Sequence, residues 1–269
     1  MQNIVQARII PHIGQYVIEV VYEYSEHHTV TNPELVAAID IGVDNLAALT
    51  SNQKGFVPVL VNGRPLKSLN QFYNKSKAVL QSKLPGEKST SHQIKRLTAK
   101  RNNQVDNYLH VCSRWIIDYL DSRGISKLII GKNPLWKQEV NNGKKNNQSF
   151  TSIPHARFIE MLKYKGIIKG ITVITSEESY TSKASFLSGD TIPNYGDEGS
   201  KKIQFSGYRV SRGMYKIKRH KIRINADVNG SYNIMRKVIP TIFDGGIEGV
   251  VVRPLRITPG KAKNKSCNI

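Results

Sequence analysis

Cysteine is nearly missing from this chain. Its 269 residues hold two, Cys112 and Cys267, with no Cys-x-x-Cys pair. That excludes a disulfide scaffold and a zinc site built from cysteines, and it suits a reducing cytoplasm. Long apolar runs are missing too. No stretch approaches the roughly 20 residues that a membrane span requires. The first residues, MQNIVQARIIPHIGQ, lack the charged start, apolar run and small-residue cleavage site of a secretory signal. Acids are scarce: 20 Asp and Glu face 40 Lys and Arg, a formal net charge of +20 with a pI near 9.9.

What is present is globular. Hydrophobic residues make up 39% and aromatics 8%, and no low-complexity run interrupts them. The positive charge sits in blocks. Residues 63–114 carry eleven Lys and Arg against two acids, and residues 201–224 carry nine with no acid. Residues 171–200 between them are acidic, and residues 1–35 are acidic as well. One basic run usually means a solvated face. Two concentrated blocks on a chain of +20 point to a polyanion, most simply nucleic acid. A basic membrane-surface protein would need an amphipathic helix with bulky apolar anchors, and the basic runs contain none.

Periodicity divides the chain. Residues 3–24 read as a β-hairpin, with β-branched runs on either side of His12-Ile13-Gly14. ELVAAIDI (34–41), NLAALTSN and GFVPVLVNG follow as three short strands, a meander. From Leu66 the period is helical to the break at Pro85-Gly86. A second helix runs from about Gln93 to Ser122, with Ile94, Leu97, Val105, Leu109, Cys112, Ile116 and Leu120 at helical spacing. Gly124 ends it. KLIIG (127–131) reads as a buried strand and 141–148 as a polar loop. Residues 154–169 form a helix opened by Pro154, 171–175 a strand, and 226–238 a helix. Residues 179–223 read as irregular and the last thirty as a loose basic tail. A meander followed by alternating strands and helices is the RNase H-like order, a mixed five-stranded sheet with helices on its faces.

Acids at three places in that order have suggestive positions. Asp40 ends the first core strand and interrupts an apolar run; the plain reading is a strand-end residue that caps a turn. Asp227 lies in ADVNGSYNI, where an acid in a helix's first turn is favoured by the dipole alone. Glu177 and Glu178 follow the strand ITVIT and otherwise read as solvated loop. Carboxylates from separate elements at one sheet end are what phosphodiester cleavage with two divalent ions needs, the ions sitting about 3.5–4 Å apart. Mg²⁺ takes oxygen ligands and keeps several waters, so a few carboxylates suffice.

AAIDIGVDNLAALTS, GRPLKSLNQFYN, LIIGKNPLWKQ, SIPHARFIEMLKYKG, SEESYTSKASFLSGD and INADVNGSYNIMRK occur in that order. The set resembles the C-terminal nuclease half of the TnpB (OrfB) proteins of insertion-sequence transposons, RNA-guided DNA endonucleases related to the type V CRISPR effectors. It covers roughly residues 3–238. The resemblance implies a RuvC-like, Mg²⁺- or Mn²⁺-dependent DNA endonuclease in the cytoplasm, associated with the nucleoid and not with a membrane. It makes Asp40 and Asp227 metal ligands, with Asn229 completing the D-x-N pattern. It also implies a division into a hairpin remnant of a wedge domain (1–34), a nuclease core (35–178 and 224–240), a basic insertion (179–223) and a basic tail (241–269). DNA is the implied partner, and a guide RNA if the family's N-terminal half is supplied.

Two departures from the family matter. Its usual Glu at the end of the strand LIIGKN is Gly131 here, followed by Lys132. Adjacent strands lie about 4.8 Å apart, so an acid just past the neighbouring strand, 171–175, reaches the same place. Glu178 is the expected replacement, as the head of ESYTSK, with Glu177 second. The other reading is an acid lost and an inactive, nucleic-acid-binding remnant or repressor. The second departure is the absence of the family's four-Cys zinc ribbon from 181–223, so no structural zinc is expected. Lys201, Lys202, Arg209, Arg212 and Arg223 remain there to grip phosphates, alongside Lys95, Arg96, Lys100 and Arg101 on the long helix. Tyr208 and Tyr215 are candidates for base stacking, with packing as the alternative.

Overall fold

The computed structural model describes residues 3–13, 15–23, 32–86, 88–132, 153–197, 203–211, 213–218 and 222–260. The polar loop at 141–148 and three expected phosphate contacts, Lys201, Lys202 and Arg212, lie outside the described residues.

The first two strands, β1 (Ile4–His12) and β2 (Gln15–Tyr22), form an antiparallel ribbon of their own. Alternation puts Ala7 and Val20, Ile9 and Ile18, and Pro11 and Tyr16 on one face, which is open to solvent. The other face mixes Arg8, Glu19, Ile10, Val17 and Gln15, and Gln15 exchanges side-chain hydrogen bonds with Asn103.

The main sheet begins with β3 (Asn32–Ile41), β4 (Asn45–Ser51) and β5 (Val59–Asn62), an antiparallel meander. Two helices follow, α1 (Arg64–Gln81) and α2 (His92–Ser122). Next come β6 (Ile125–Gly131), α3 (His155–Ile168) and β7 (Thr172–Ser176). β6 runs parallel to β3, and β7 parallel to β6. Helices cover both faces of the inner strands, so all seven residues of β4 are buried, the polar Asn45, Thr50 and Ser51 among them.

α2 is built locally before it is packed. Ser91 caps its N-terminus by accepting from the Ile94 amide at 3.3 Å. Gly124, at φ +67°, takes the left-handed conformation that turns the chain into β6. Between them Val105, Leu109, Cys112, Ile116, Ile117 and Leu120 form one buried stripe against the sheet, joined by Phe158 and Leu162 of α3. Each such side chain contributes about 1.5–3 kcal/mol by leaving water.

The opposite face carries the last helix, α4 (Ala226–Val238). Val228 and Tyr232 lie on Ala48 and Leu60, and Ile234 and Met235 on Val36, Ala38 and Ile129. The alanines let the helix come close. Ser231 Oγ donates to the Ala38 carbonyl at 2.8 Å and pairs with Thr50 Oγ1 at 2.8 Å, pinning the helix across β3 and β4.

The sheet has the RNase H-like (RuvC) order, with two corrections at its margins. A sixth strand, β11 (Leu255–Ile257), pairs in parallel with β5. Residues 241–260 are therefore no loose tail: Ile242, Phe243, Ile247 and Val250 pack onto the α4 side. Part of 179–223 is regular as well. β8 (Gly207–Ser211), β9 (Met214–Ile217) and β10 (Arg223–Asn225) form an antiparallel sheet that leads directly into α4. Tyr215 is fully buried there and donates to the Lys183 carbonyl at 2.8 Å, so packing is its role, whereas Tyr208 is exposed. Among the described residues no helix is long and apolar enough to cross a membrane.

Candidate active site at the end of the sheet

Strand register brings the first pieces together. Ile39 pairs with Ile130 in the parallel ladder, so Asp40, next to last in β3, lies beside Gly131, the last residue of β6. Gly131 pairs in turn with Ser176 at the end of β7, and Glu178 follows two residues later. Asp227 comes from the opposite side, in the first turn of α4. Asn225 caps that turn, its Oδ1 accepting from the Asp227 and Val228 amides at 3.0 and 3.1 Å.

Two glycines make the space. A Cβ on Gly131 would stand 2.5 Å from Glu178 Oε2, and one on Gly230 would stand 2.5 Å from Asp40 Oδ2. Glu178 therefore lays its carboxylate over the strand end where the family's acid would arise. Asp40 fits under α4 because the helix has no side chain at 230, one turn beyond Asp227.

The electrostatics follow from this crowding. Burial, and then the charges of Glu178 and Asp227, raise the Asp40 carboxyl well above the usual range, with Arg209 pulling the other way. Burial, assisted by Glu177, pushes Glu178 up to about 7, opposed by Lys237. Asp227 has two partners: Asn45 Nδ2 donates to its Oδ2 at 2.7 Å and Arg209 Nη2 to its Oδ1 at 3.4 Å. Glu177 faces away from this group. Burial raises its carboxyl, but hydrogen bonds from Lys237 and Ser179 outweigh that and hold it below the ordinary value.

The structure thus sets Asp40 beside Glu178 and Asp227, while Glu177 pairs with Lys237 and the Ser179 amide. The acids are in electrostatic reach of one another, but among the described residues no three His, Cys, Asp or Glu side chains close on a common point as a ready-made metal cluster. Arg209 joins the acids and not a remote basic surface. Asn45 was invisible in the sequence as a site residue; it is buried, and its Oδ1 has no hydrogen-bond partner among the described residues. The sequence signal for it was an amide directly after the turn that follows Asp40.

The other expected phosphate contacts are spread out. Lys95, Arg96 and Lys100 are exposed on α2, and Arg223 is exposed on β10. A cleft of about 490 Å³ lies where α2 meets the ribbon, lined by Gln15, Arg96, Lys100, Asn103, Gln104 and Asn107. Arg101 is engaged differently: it donates to Asn70 Oδ1 at 2.8 and 2.6 Å and lies over the Tyr73 ring.

Strand order and acids at adjoining strand ends define an RNase H-like fold of the RuvC type. The sequence model of the OrfB_IS605 family, described as a probable transposase, matches residues 19–136, and that of the Cas12f1-like TNB domain matches residues 155–234. Over these two segments the chain is similar to the OrfB transposase family and to a Cas12f1-like domain. Among solved structures it is similar to a Cas12f1–sgRNA–target DNA complex, at TM-score 0.57 and 16% identity over 81% of this chain and 42% of that one. A CRISPR-Cas12f ternary complex gives TM-score 0.55 and 17% identity over 85% of this chain and 44% of that one. At these identities the likeness is one of fold, and this chain spans less than half the length of either. No curated protein matches the sequence.

Proposed function

We propose that this chain supplies the nuclease centre of a TnpB-like DNA endonuclease that uses a divalent metal ion, Mg²⁺ or Mn²⁺, and is guided by RNA in its complete form. The observation that carries the proposal is that Glu178 and Asp227, from two other elements, lie within electrostatic reach of Asp40, in space left by Gly131 and Gly230. In this reading residues 35–178 and 224–240 are the catalytic core, and the ribbon within 1–34 belongs to a wedge region.

The donor set suits a hard cation. It offers only oxygens, and the buried Asn45 Oδ1 beside Asp227 is a further one whose hydrogen-bonding capacity is unused among the described residues. Asp40, Glu178 and Asp227 would hold the ion, which supplies charge stabilisation at the phosphate and an acidified water. The chain's own groups do the rest. Asn45 fixes the direction of the Asp227 carboxylate. Arg209 is exposed and next to Asp227, placed to meet a phosphate oxygen as a planar donor fork. Lys95, Arg96, Lys100 and Arg223 hold the backbone of DNA or guide RNA by charge, independently of sequence.

The test is Mn²⁺ binding by the full chain, followed by cutting of labelled single-stranded DNA, for the parent and for Asp40→Asn. The proposal expects the variant to lose both. Equal Mn²⁺ affinity in the two proteins would overturn it. Normal metal binding with no cutting, even when a relative's N-terminal half and an RNA are added, would favour the binding-only alternative.

A further inference from the structure

Glu178 needs a reason to point at Asp40, because it sits on a loop and has an acidic neighbour. The reason lies on α4. Lys237 is in the last turn of that helix, where a lysine ordinarily reaches out to water. Here its side chain is only 6% exposed. Its ammonium donates to Glu177 Oε2, to the Ser179 carbonyl at 3.0 Å and to the Pro193 carbonyl at 3.2 Å. Three acceptors match the three protons of an ammonium, a tripod that a planar guanidinium does not reproduce. The other oxygen of Glu177 accepts from the Ser179 amide at 2.6 Å. The residues before and after Glu178 are therefore tied to one cation.

The tie extends along the helix. Asn233, one turn back, donates to the carbonyls of Thr181 and Ala184 at 2.9 and 2.8 Å. Asn229, a further turn back, donates to the Ala184 carbonyl at 2.8 Å and accepts from the Phe186 amide at 3.0 Å. Residues 229, 233 and 237 fall on one helix face. Thr181 closes the loop by donating to the Glu178 carbonyl through its amide at 3.2 Å and its hydroxyl at 2.8 Å. The helix that delivers Asp227 thus also holds the loop that delivers Glu178.

We infer that Lys237 is a positioning residue: by binding Glu177 and the Ser179 and Pro193 carbonyls, it draws Glu177 away from the site and aims Glu178 into it. This rests on the reading of Asp40, Glu178 and Asp227 as metal ligands. Groups that orient a ligand typically alter metal affinity by about 10–100-fold when they are lost.

The experiment measures the Mn²⁺ dissociation constant and the melting temperature of the full chain. The variants are Asp40→Asn, Glu178→Gln, Lys237→Met and the double variant Lys237→Met/Glu178→Gln. Lys237→Met alone should weaken Mn²⁺ binding by about tenfold or more. In the Glu178→Gln background it should cost no further affinity, because it acts only through Glu178. A merely structural lysine would lower affinity equally in both backgrounds, and that result overturns the inference. So does unchanged affinity in Lys237→Met when Glu178→Gln binds weakly. If Asp40→Asn and Glu178→Gln both bind Mn²⁺ as the parent does, the metal-site reading falls first and the inference with it. Should Lys237→Met melt below the assay temperature, Lys237→Gln, which keeps two N–H donors for the carbonyls, gives the same comparison.

Discussion

On one face of the central sheet, α2 and α3 lay Leu109, Ile116, Leu120, Phe158 and Leu162 against the strands. On the other, α4 is pinned by Ser231, holds a loop through Asn229, Asn233 and Lys237, and carries Asp227. The first face gains its stability from area, which is forgiving of direction. The second adds to its apolar contacts a set of hydrogen bonds, which are modest in net energy but strict in geometry. A site that must hold carboxylates in place belongs on the strict face, while the apolar face keeps the sheet rigid beneath it.

The largest expected effect falls on the apolar face. Leu109→Ala should cost about 2–5 kcal/mol in urea unfolding, while Mn²⁺ affinity of the folded fraction stays at the parent value. A comparable loss of affinity would show that the two faces are not separable. Gly131→Ala should do the reverse. Its methyl would press on Glu178 Oε2 and Ile234 Cδ1, each 2.5 Å from the new carbon. Both are ends of side chains that can turn aside, so the stability loss should lie at the low end of the roughly 1–3 kcal/mol of overpacking, with a marked fall in Mn²⁺ affinity. Asn225→Ala removes the cap of α4 and should cost about 1 kcal/mol in a thermal melt. Mn²⁺ binding should weaken with it, because Asp227 sits in the uncapped turn.

The same site is also sensitive to pH. Glu178 is raised from 4.5 to about 7 in the fold. An acid raised on folding holds its proton more tightly in the native state, so its contribution to stability is full below pH 4.5 and gone above about 7. Without metal, the melting temperature should fall across that window through this group, and Glu178→Gln should remove that part of the slope. Metal ligation requires the ionised form. Added Mn²⁺ should therefore raise the melting temperature more at pH 8 than at pH 5, and an equal rise at both would contradict the pairing of Glu178 with the ion.

The parts of this arrangement that the sequence reveals are those that local physics decides. The long stripe of α2, the apolar run ending at Asp40 and the helix at 226–238 all follow from periodicity and punctuation. The position of Glu178 beside Gly131 follows from the spacing of neighbouring strands once their order is known. The strands β8 to β11 do not announce themselves. They are three to five residues long, three of them carry an exposed Arg, and β11 is paired only because the fold brings it to β5. Lys237 is hidden for another reason. In NIMRKV it reads as a basic residue favoured at a helix end, and only the path of the 177–193 loop turns it into a tripod. Arg209 likewise reads as one cation among nine until β8 carries it to Asp227.

The ribbon of β1 and β2 has a practical outcome for anyone handling the chain. Ile9 and Ile18 are each 71% exposed and Tyr16 is 75% exposed, on one continuous face whose strand edges are unpaired among the described residues. Such a surface is prone to self-association. At low ionic strength the net charge of +20 keeps copies apart. Salt shortens that repulsion to a Debye length of about 10 Å at 0.1 M and about 3 Å at 1 M. The high-salt wash that strips bound nucleic acid during purification is thus the condition under which the ribbons stick to one another. Light scattering should show aggregates that grow with added salt and shrink when the ribbon face carries Ile9→Lys and Ile18→Glu.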